Sequence, residues 1–131
     1  MSEKKPLTPS GIAPPFGAYS HGILGPKEGR LLVTSGQLGM QVDGTVPDTL
    51  AGQAEICFRN IDATLAEAGA DRSSILRLNA YVTRREDFPA YMEARDAWLA
   101  DVKPKPASTL LVVSGFTREE FLVEVEATAW V

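Results

Sequence analysis

The chain has 131 residues, 44% hydrophobic and 23% charged, which fits one globular domain and excludes a disordered chain. Thirteen basic and seventeen acidic residues give a net charge of −4, which disfavours nucleic acid as a partner because nucleic-acid-binding domains present a basic face. One histidine and one cysteine argue against a metal site and exclude a disulfide framework. With no long apolar run and no signal peptide, we expect no membrane association and a cytoplasmic protein.

The first 46 residues predict an arm followed by short strands. Residues 1–15 contain four prolines and predict an extended N-terminal arm, while residues 16–131 predict a single domain. Strands are predicted at residues 19–25 and 30–37, joined as a hairpin by the turn-forming residues between them. The dipeptide Asp43-Gly44 predicts a type I′ turn between two further short strands.

The remaining chain predicts two helices and three strands. Apolar residues at steps of three and four predict a first helix within residues 47–68, capped by Asp48 or Thr49 and ended by Gly69. A second helix is predicted from Asp87–Pro89 to a point before Pro104. Alternating patterns predict strands at residues 75–83, 107–113 and 121–131.

This order of elements predicts an α+β domain, a mixed β-sheet with two helices packed on one face. The other sheet face then carries charged and aromatic residues and is either solvated or covered by another subunit. With no third helix to cover it, Trp130 is expected to be exposed in one chain, which favours a subunit interface.

Two groups of residues are candidates for chemistry. Glu124 and Glu126 share one face of the last strand, where they form either an acid–base pair or part of a solvated surface. Tyr19 and His21 share a face of an early strand, where the imidazole is either a proton shuttle or an ordinary surface histidine. Cys57 predicts a buried, inert thiol on the first helix.

Several segments together resemble the Rid family of reactive intermediate deaminases, also called YjgF-like or L-PSP endoribonuclease-like proteins. The resemblance covers residues 12–130 and depends on the order and spacing of the segments, since no single one is specific. The segments are Gly17-Ala18-Tyr19-Ser20-His21-Gly22, Thr34-Ser35-Gly36-Gln37, residues 53–69, Asp87-Phe88, Pro106-Ala107 and Val123-Glu124-Val125-Glu126-Ala127.

The resemblance implies a chorismate-mutase-like (YjgF-like) fold and a homotrimer with small-molecule ligands in three clefts between subunits. It implies hydrolysis of small enamines or imines without a cofactor. A carboxylate orients water, and a cation holds the carboxylate of the substrate. The residues of this sequence that match the cleft are Tyr19, Gly36, Ser108, Leu110 and Glu126. We expect Glu126 and Tyr19 to be catalytic and Gly36, Ser108, Leu110 and His21 to bind the substrate.

Ser108 departs from the pattern of the catalytic members, which carry Arg at that position, and Leu110 stands where they commonly carry Cys. A serine cannot form a charge-assisted fork with a carboxylate, so we expect weak hydrolysis of imines of 2-keto acids unless Lys105 or Arg118 replaces the cation. Three functions stay open: a deaminase, a non-catalytic trimer that binds a small metabolite, and an endoribonuclease or translation inhibitor. The acidic net charge makes the last the weakest.

Overall fold

A computed structural model describes residues 3–131 and shows one main sheet, a small second sheet and two helices. Short 3₁₀ turns lie at Arg72–Ser74 and Arg85–Asp87. No helix in this described part of the chain is both long and apolar enough to cross a membrane. The elements are β1 (Lys5–Leu7), β2 (Gly22–Leu24), β3 (Leu31–Val33), β4 (Gln37–Leu38), α1 (Leu50–Glu67), β5 (Ile75–Val82), α2 (Phe88–Trp98), β6 (Ala107–Val112) and β7 (Val123–Trp130).

The main sheet has the strand order β3-β7-β5-β6. β4 pairs with the same edge of β7 as β3 does, but β3 pairs with the end of β7 and β4 with its beginning. β5 and β6 run parallel, and every other pair in this sheet is antiparallel. This confirms the predicted α+β class with a mixed sheet.

The hydrophobic core lies between the helices and one face of the sheet. The apolar stripe of α1 packs there against the inward residues of β5 and β7. The Phe58 and Trp98 rings stack 4.3 Å apart, which fixes α1 against α2. At the ends of α1, the Thr49 hydroxyl accepts from the Gly52 amide, and Gly69 adopts a left-handed φ of +72°, so Thr49 rather than Asp48 is the cap. Both helices therefore cover the same sheet face, and the opposite one, here called the open face, carries no helix.

The predicted hairpin of residues 19–25 and 30–37 is wrong. β2 pairs with β1 in a separate two-stranded sheet, and β3 pairs with β7 about a hundred residues later. Pairing with β7 lets Leu32 pack on the core next to buried Ala129, a gain that local turn chemistry does not reveal. The turn before β3 instead covers Trp130, whose indole donates to the Glu28 carbonyl at 2.9 Å. Trp130 is therefore half-buried by its own chain, which corrects the expectation that it is exposed.

The described part of the N-terminal arm docks on the domain. Its residues Lys5–Leu7 form β1, and the ammonium of Lys4 donates to the Ile75 carbonyl at 2.8 Å. Burial lowers the pKa of Lys4 to about 8, and the charge of Asp71 opposes that shift. Residues 1 and 2 of the predicted arm lie outside the described residues.

The turn at Asp43-Gly44 is not of type I′. A type I′ turn needs positive φ at both central residues, and here only Gly44 has one, at +90°. The Gly44 amide donates to the Gln41 carbonyl, and the Gln41 amide donates to the Thr45 carbonyl. This is a three-residue loop closed by a glycine bulge, and the Asp43 carboxylate caps it by accepting from the Thr45 amide.

One residue of β5 departs from the predicted alternation. A register irregularity between Ile75 and Arg77 shifts the strand relative to β7. Ile75 is fully buried as a result, and Leu76, which strict alternation would place on the same face as Leu78, is only half-buried. Beyond the irregularity the predicted alternation is confirmed, so Arg77, Asn79 and Tyr81 all lie on the open face.

Candidate functional site

Glu126 lies in the middle of the open face, held by two side chains of β5. In the antiparallel register of β5 and β7, Asn79 stands directly opposite Glu126. The Asn79 amide donates to Glu126 Oε2 at 3.0 Å, and the Tyr81 hydroxyl donates to the same oxygen at 3.3 Å. Oε1 accepts no hydrogen bond from residues 3–131, so Glu126 presents one fixed oxygen and one unbonded oxygen.

Glu124 shares the open face but has different surroundings. Its carboxylate lies against Gly36, where a Cβ would come within 2.1 Å of Oε2, so a glycine is required for this close approach. Burial raises the pKa of Glu124, and the charge of Glu126 raises it further. Gly36 is thus next to the carboxylate pair, but its close contact is with Glu124.

Tyr81 remains a hydrogen-bond donor beside this pair. Its pKa is raised, first by burial and then by the charge of Glu126 and the hydrogen bond to it. The phenol therefore keeps its proton at neutral pH. Asn79 and Tyr81 were not among the predicted site residues. The alternation of β5 placed them on the open face, but only the register with β7 shows their contact with Glu126.

Tyr19 and His21 lie next to the start of β6. Ser20, between them, donates through its amide to the Pro106 carbonyl at 3.2 Å. The Tyr19 and His21 rings meet edge to face with centroids 6.3 Å apart, and His21 Nε2 contacts the Ala13 carbonyl oxygen at 2.6 Å. By the registers of β5, β6 and β7, Pro106 lies two strands across and three residues along from Glu126, so the main chain at these two positions is roughly 14 Å apart.

Ser108 and Leu110 lie on the other side of the sheet from Glu126. The register pairs them with Leu78 and Ala80, which are buried under the helices. The Ser108 hydroxyl accepts a hydrogen bond from Arg95 Nη1 at 3.3 Å. One chain therefore brings Gly36, Glu124 and Glu126 together, and it separates them from Tyr19, His21, Ser108 and Leu110.

Arg95 is a buried cation that the sequence pattern did not single out. It is 4% exposed, lies on α2, and also pairs with the Asp96 carboxylate at 3.0 Å. Its position in the sequence of the helix did not indicate that this arginine is buried. A guanidinium therefore does lie next to Ser108, on the side of β6 that faces the helices. It belongs to α2, whereas the arginine that the resemblance implies would stand at position 108 in β6 itself.

Both proposed replacement cations are bonded to other groups of the chain. Lys105 donates to the carbonyls of Leu99 and Ala100 at the end of α2, at 2.6 and 3.3 Å. Arg118 pairs with Glu120 at 2.6 Å, in the loop between β6 and β7. Among the described strands of the main sheet, Arg77 is the positively charged residue on the open face. Its guanidinium donates to the Thr109 hydroxyl at 3.4 Å.

The potential metal ligands do not form a cluster. Among residues 3–131, no three His, Cys, Asp or Glu side chains come together to hold a metal ion. The Cys57 thiol is buried and donates to the Gln37 carbonyl at 3.1 Å. Burial, with a smaller contribution from Glu124, raises the pKa of Cys57 to about 12, so the thiol stays protonated and unreactive.

Comparisons with known proteins place this geometry in a family. The chain matches the family described as Endoribonuclease L-PSP over residues 11–131. It is 32% identical over 94 residues to a RutC family protein of Aquifex aeolicus, covering 71% of this chain and 73% of that protein. It is 26% identical over 129 residues to the 2-iminobutanoate/2-iminopropanoate deaminase of Dermatophagoides farinae, covering 97% and 96%.

A solved structure gives the same result for the fold. The crystal structure of a Rid family protein from Yersinia pestis is 26% identical, has a TM-score of 0.86 and covers 98% of both chains. The mixed sheet, the two helices on one face and the sequence match agree. This chain therefore belongs to the L-PSP endoribonuclease family, also known as the YjgF or Rid family.

Proposed function

We propose that this protein hydrolyses the C=N bond of a small imine, or of its enamine tautomer, and releases ammonia without a cofactor. The observation that carries the proposal is Glu126, which has one oxygen held by two donors and the other unbonded on the open face. A fixed carboxylate with an unbonded oxygen is suited to accept a proton from water. The name of the Dermatophagoides farinae relative, an imine deaminase, supports the same chemistry.

In the proposed reaction, Oε1 of Glu126 accepts a proton from water while the water oxygen bonds to the imine carbon. Glu126 passes this proton to the imine nitrogen, which gives a neutral carbinolamine. Glu126 then takes the proton of the carbinolamine hydroxyl and gives it to the nitrogen, so that the C–N bond breaks, its electron pair leaves with ammonia, and the carbonyl forms. Water is the only co-reactant, and the products are a carbonyl compound and ammonia.

We propose that the active form is a homotrimer in which a neighbouring copy completes the site. Within one chain Tyr19, His21, Ser108 and Leu110 are separated from Glu126, so a second copy is needed to bring both groups to one ligand. Apolar side chains around the open face support this: Leu31 is 62% exposed, Val33 65% and Leu111 49%. Light scattering at micromolar concentration tests the trimer, and a monomeric mass would overturn it.

The activity is tested on a panel of small imines generated in solution, with and without a carboxylate, by following the loss of imine and the release of ammonia. We expect turnover that falls at least about a hundredfold in Glu126→Gln. Imines of 2-keto acids should react weakly, because Ser108 supplies no cation. Strong wild-type turnover of these imines would show that another cation holds the carboxylate.

Ser108→Arg tests the effect of the missing cation directly, but the new side chain would lie beside Arg95. Because Arg95 Nη1 lies 3.3 Å from the hydroxyl that is replaced, the new arginine meets a like charge. We therefore expect Ser108→Arg to recover turnover of imines of 2-keto acids more fully together with Arg95→Met than alone. The Arg95→Met variant by itself is the control for the loss of the buried cation.

A non-catalytic, metabolite-binding trimer is the second candidate. One observation favours it: Ser108, which stands where the catalytic relatives carry their carboxylate-binding arginine, already accepts a hydrogen bond from Arg95. Saturable binding of small carboxylates without turnover of any imine would select this function. Salt-dependent binding of RNA would instead select the ribonuclease function.

A further inference from the structure

The contacts of Glu126 support an inference that rests on the proposed function. We propose that Asn79 and Tyr81 are positioning residues, which hold Glu126 in the orientation that directs its unbonded oxygen at water. Neither residue belongs to the segments by which the chain resembles its family. They act through Glu126 and not on the substrate.

The geometry restricts Glu126 in a specific way. Both donors reach the same oxygen, Oε2, from 3.0 and 3.3 Å, and they come from alternate residues of one strand. A carboxylate held at one oxygen by two directed donors cannot rotate freely about its last bond without losing one of them. Oε1 is thereby kept away from β5 and left for water.

The two donors also suit the task chemically. The Asn79 amide does not titrate, and burial raises the pKa of Tyr81, so neither group competes with Glu126 for a proton. Both side chains lie on the open face, outside the core. The sheet itself is held by main-chain pairing of β5 with β6 and β7. Removing either donor should therefore leave the fold intact.

Kinetics of Tyr81→Phe and Asn79→Ala test the inference. We expect kcat to fall about tenfold in each, with KM changed less than about twofold, because a misdirected base slows the chemical step without changing substrate contacts. Tyr91→Phe is the matched control and should leave kcat unchanged, since the Tyr91 hydroxyl is buried in the core and has no hydrogen-bond partner among residues 3–131.

A double-mutant cycle separates positioning from a structural role. In the Glu126→Gln background, Tyr81→Phe should lower the residual rate no further, because the group through which it acts has already been removed. An equal loss in both backgrounds would overturn the inference, as would an unchanged kcat in Tyr81→Phe and Asn79→Ala.

A measurement without turnover keeps the inference separate from the proposed function. The carboxyl ¹³C resonance of Glu126, at fixed pH, should move in Tyr81→Phe and Asn79→Ala and stay in place in Tyr91→Phe. An unmoved resonance would overturn the positioning contact. A moved resonance in a protein that hydrolyses no imine would support the contact and overturn the proposed function instead.

Discussion

Gly36→Ala and Gly39→Ala, at the two glycines that flank β4, together provide a quantitative test of the site. In Gly36→Ala, the new Cβ would lie 2.1 Å from Glu124 Oε2, so that oxygen must withdraw by about 1.3 Å to reach an ordinary contact of 3.4 Å. The atoms in the way belong to the end of a flexible side chain, and Gly36 does not have positive φ. The cost of about 1 kcal/mol for moving them is roughly offset by the reduced freedom of the unfolded chain. We expect the stability of Gly36→Ala to stay within about 1 kcal/mol of wild type.

Gly39→Ala is the matched substitution with a different obstacle. Its Cβ would lie 2.6 Å from the Gln53 Cα and 2.5 Å from its Cβ, and these are atoms of α1 that cannot rotate away. The Gln53 amide also bonds three main-chain groups, so a shift of α1 would weaken those bonds. Overpacking against a backbone costs about 3 kcal/mol.

Thermal unfolding followed by circular dichroism measures the difference. At about 3–4 °C per kcal/mol for a chain of this size, Gly39→Ala should lower Tm by roughly 10 °C and Gly36→Ala by less than about 4 °C. In the imine assay the order should reverse, because Gly36→Ala displaces the Glu124 carboxylate beside the proposed site. A larger fall in Tm for Gly36→Ala, or equal falls for both, would refute the assigned contacts.

Three further predictions concern the carboxylates and the buried amide. Glu126→Gln should lower kcat by about 10²–10⁴ and Glu124→Gln by less, measured on the best imine of the panel, and the reverse order would make Glu124 the catalytic group. Since the pKa of Glu124 is higher in the folded than in the unfolded state, its contribution to stability falls as pH rises between the two values. In urea unfolding, the stability of Glu124→Gln relative to wild type should therefore rise from pH 4 to 7, and a constant difference would contradict this. Gln53→Leu should cost about 3 kcal/mol in denaturant unfolding, because it removes the hydrogen bonds of three part-buried main-chain groups. The exposed bond of Gln37 makes Gln37→Leu nearly neutral.

Local sequence patterns were sufficient to predict the helices and strands that have one face in the hydrophobic core and the other outside it. The period of α1, its closing Gly69 and the strict alternation of β7 were all confirmed, because each depends on neighbouring residues alone. The same alternation correctly placed Glu124 and Glu126 on one face. The pairing of residues 19–25 with 30–37 was wrong, because a turn sequence does not indicate that β3 buries Leu32 better beside β7.

By itself, therefore, the sequence determined the class of fold, its two helices and the strand that carries the paired carboxylates. The tertiary structure alone decided which side chains surround them. Asn79 reaches Glu126 across 47 positions of the chain because antiparallel register places the two opposite each other. The parallel register of β5 and β6 turns Ser108 toward Arg95 and away from Glu126. Register depends on how whole strands pack against the core, so no local pattern contains it.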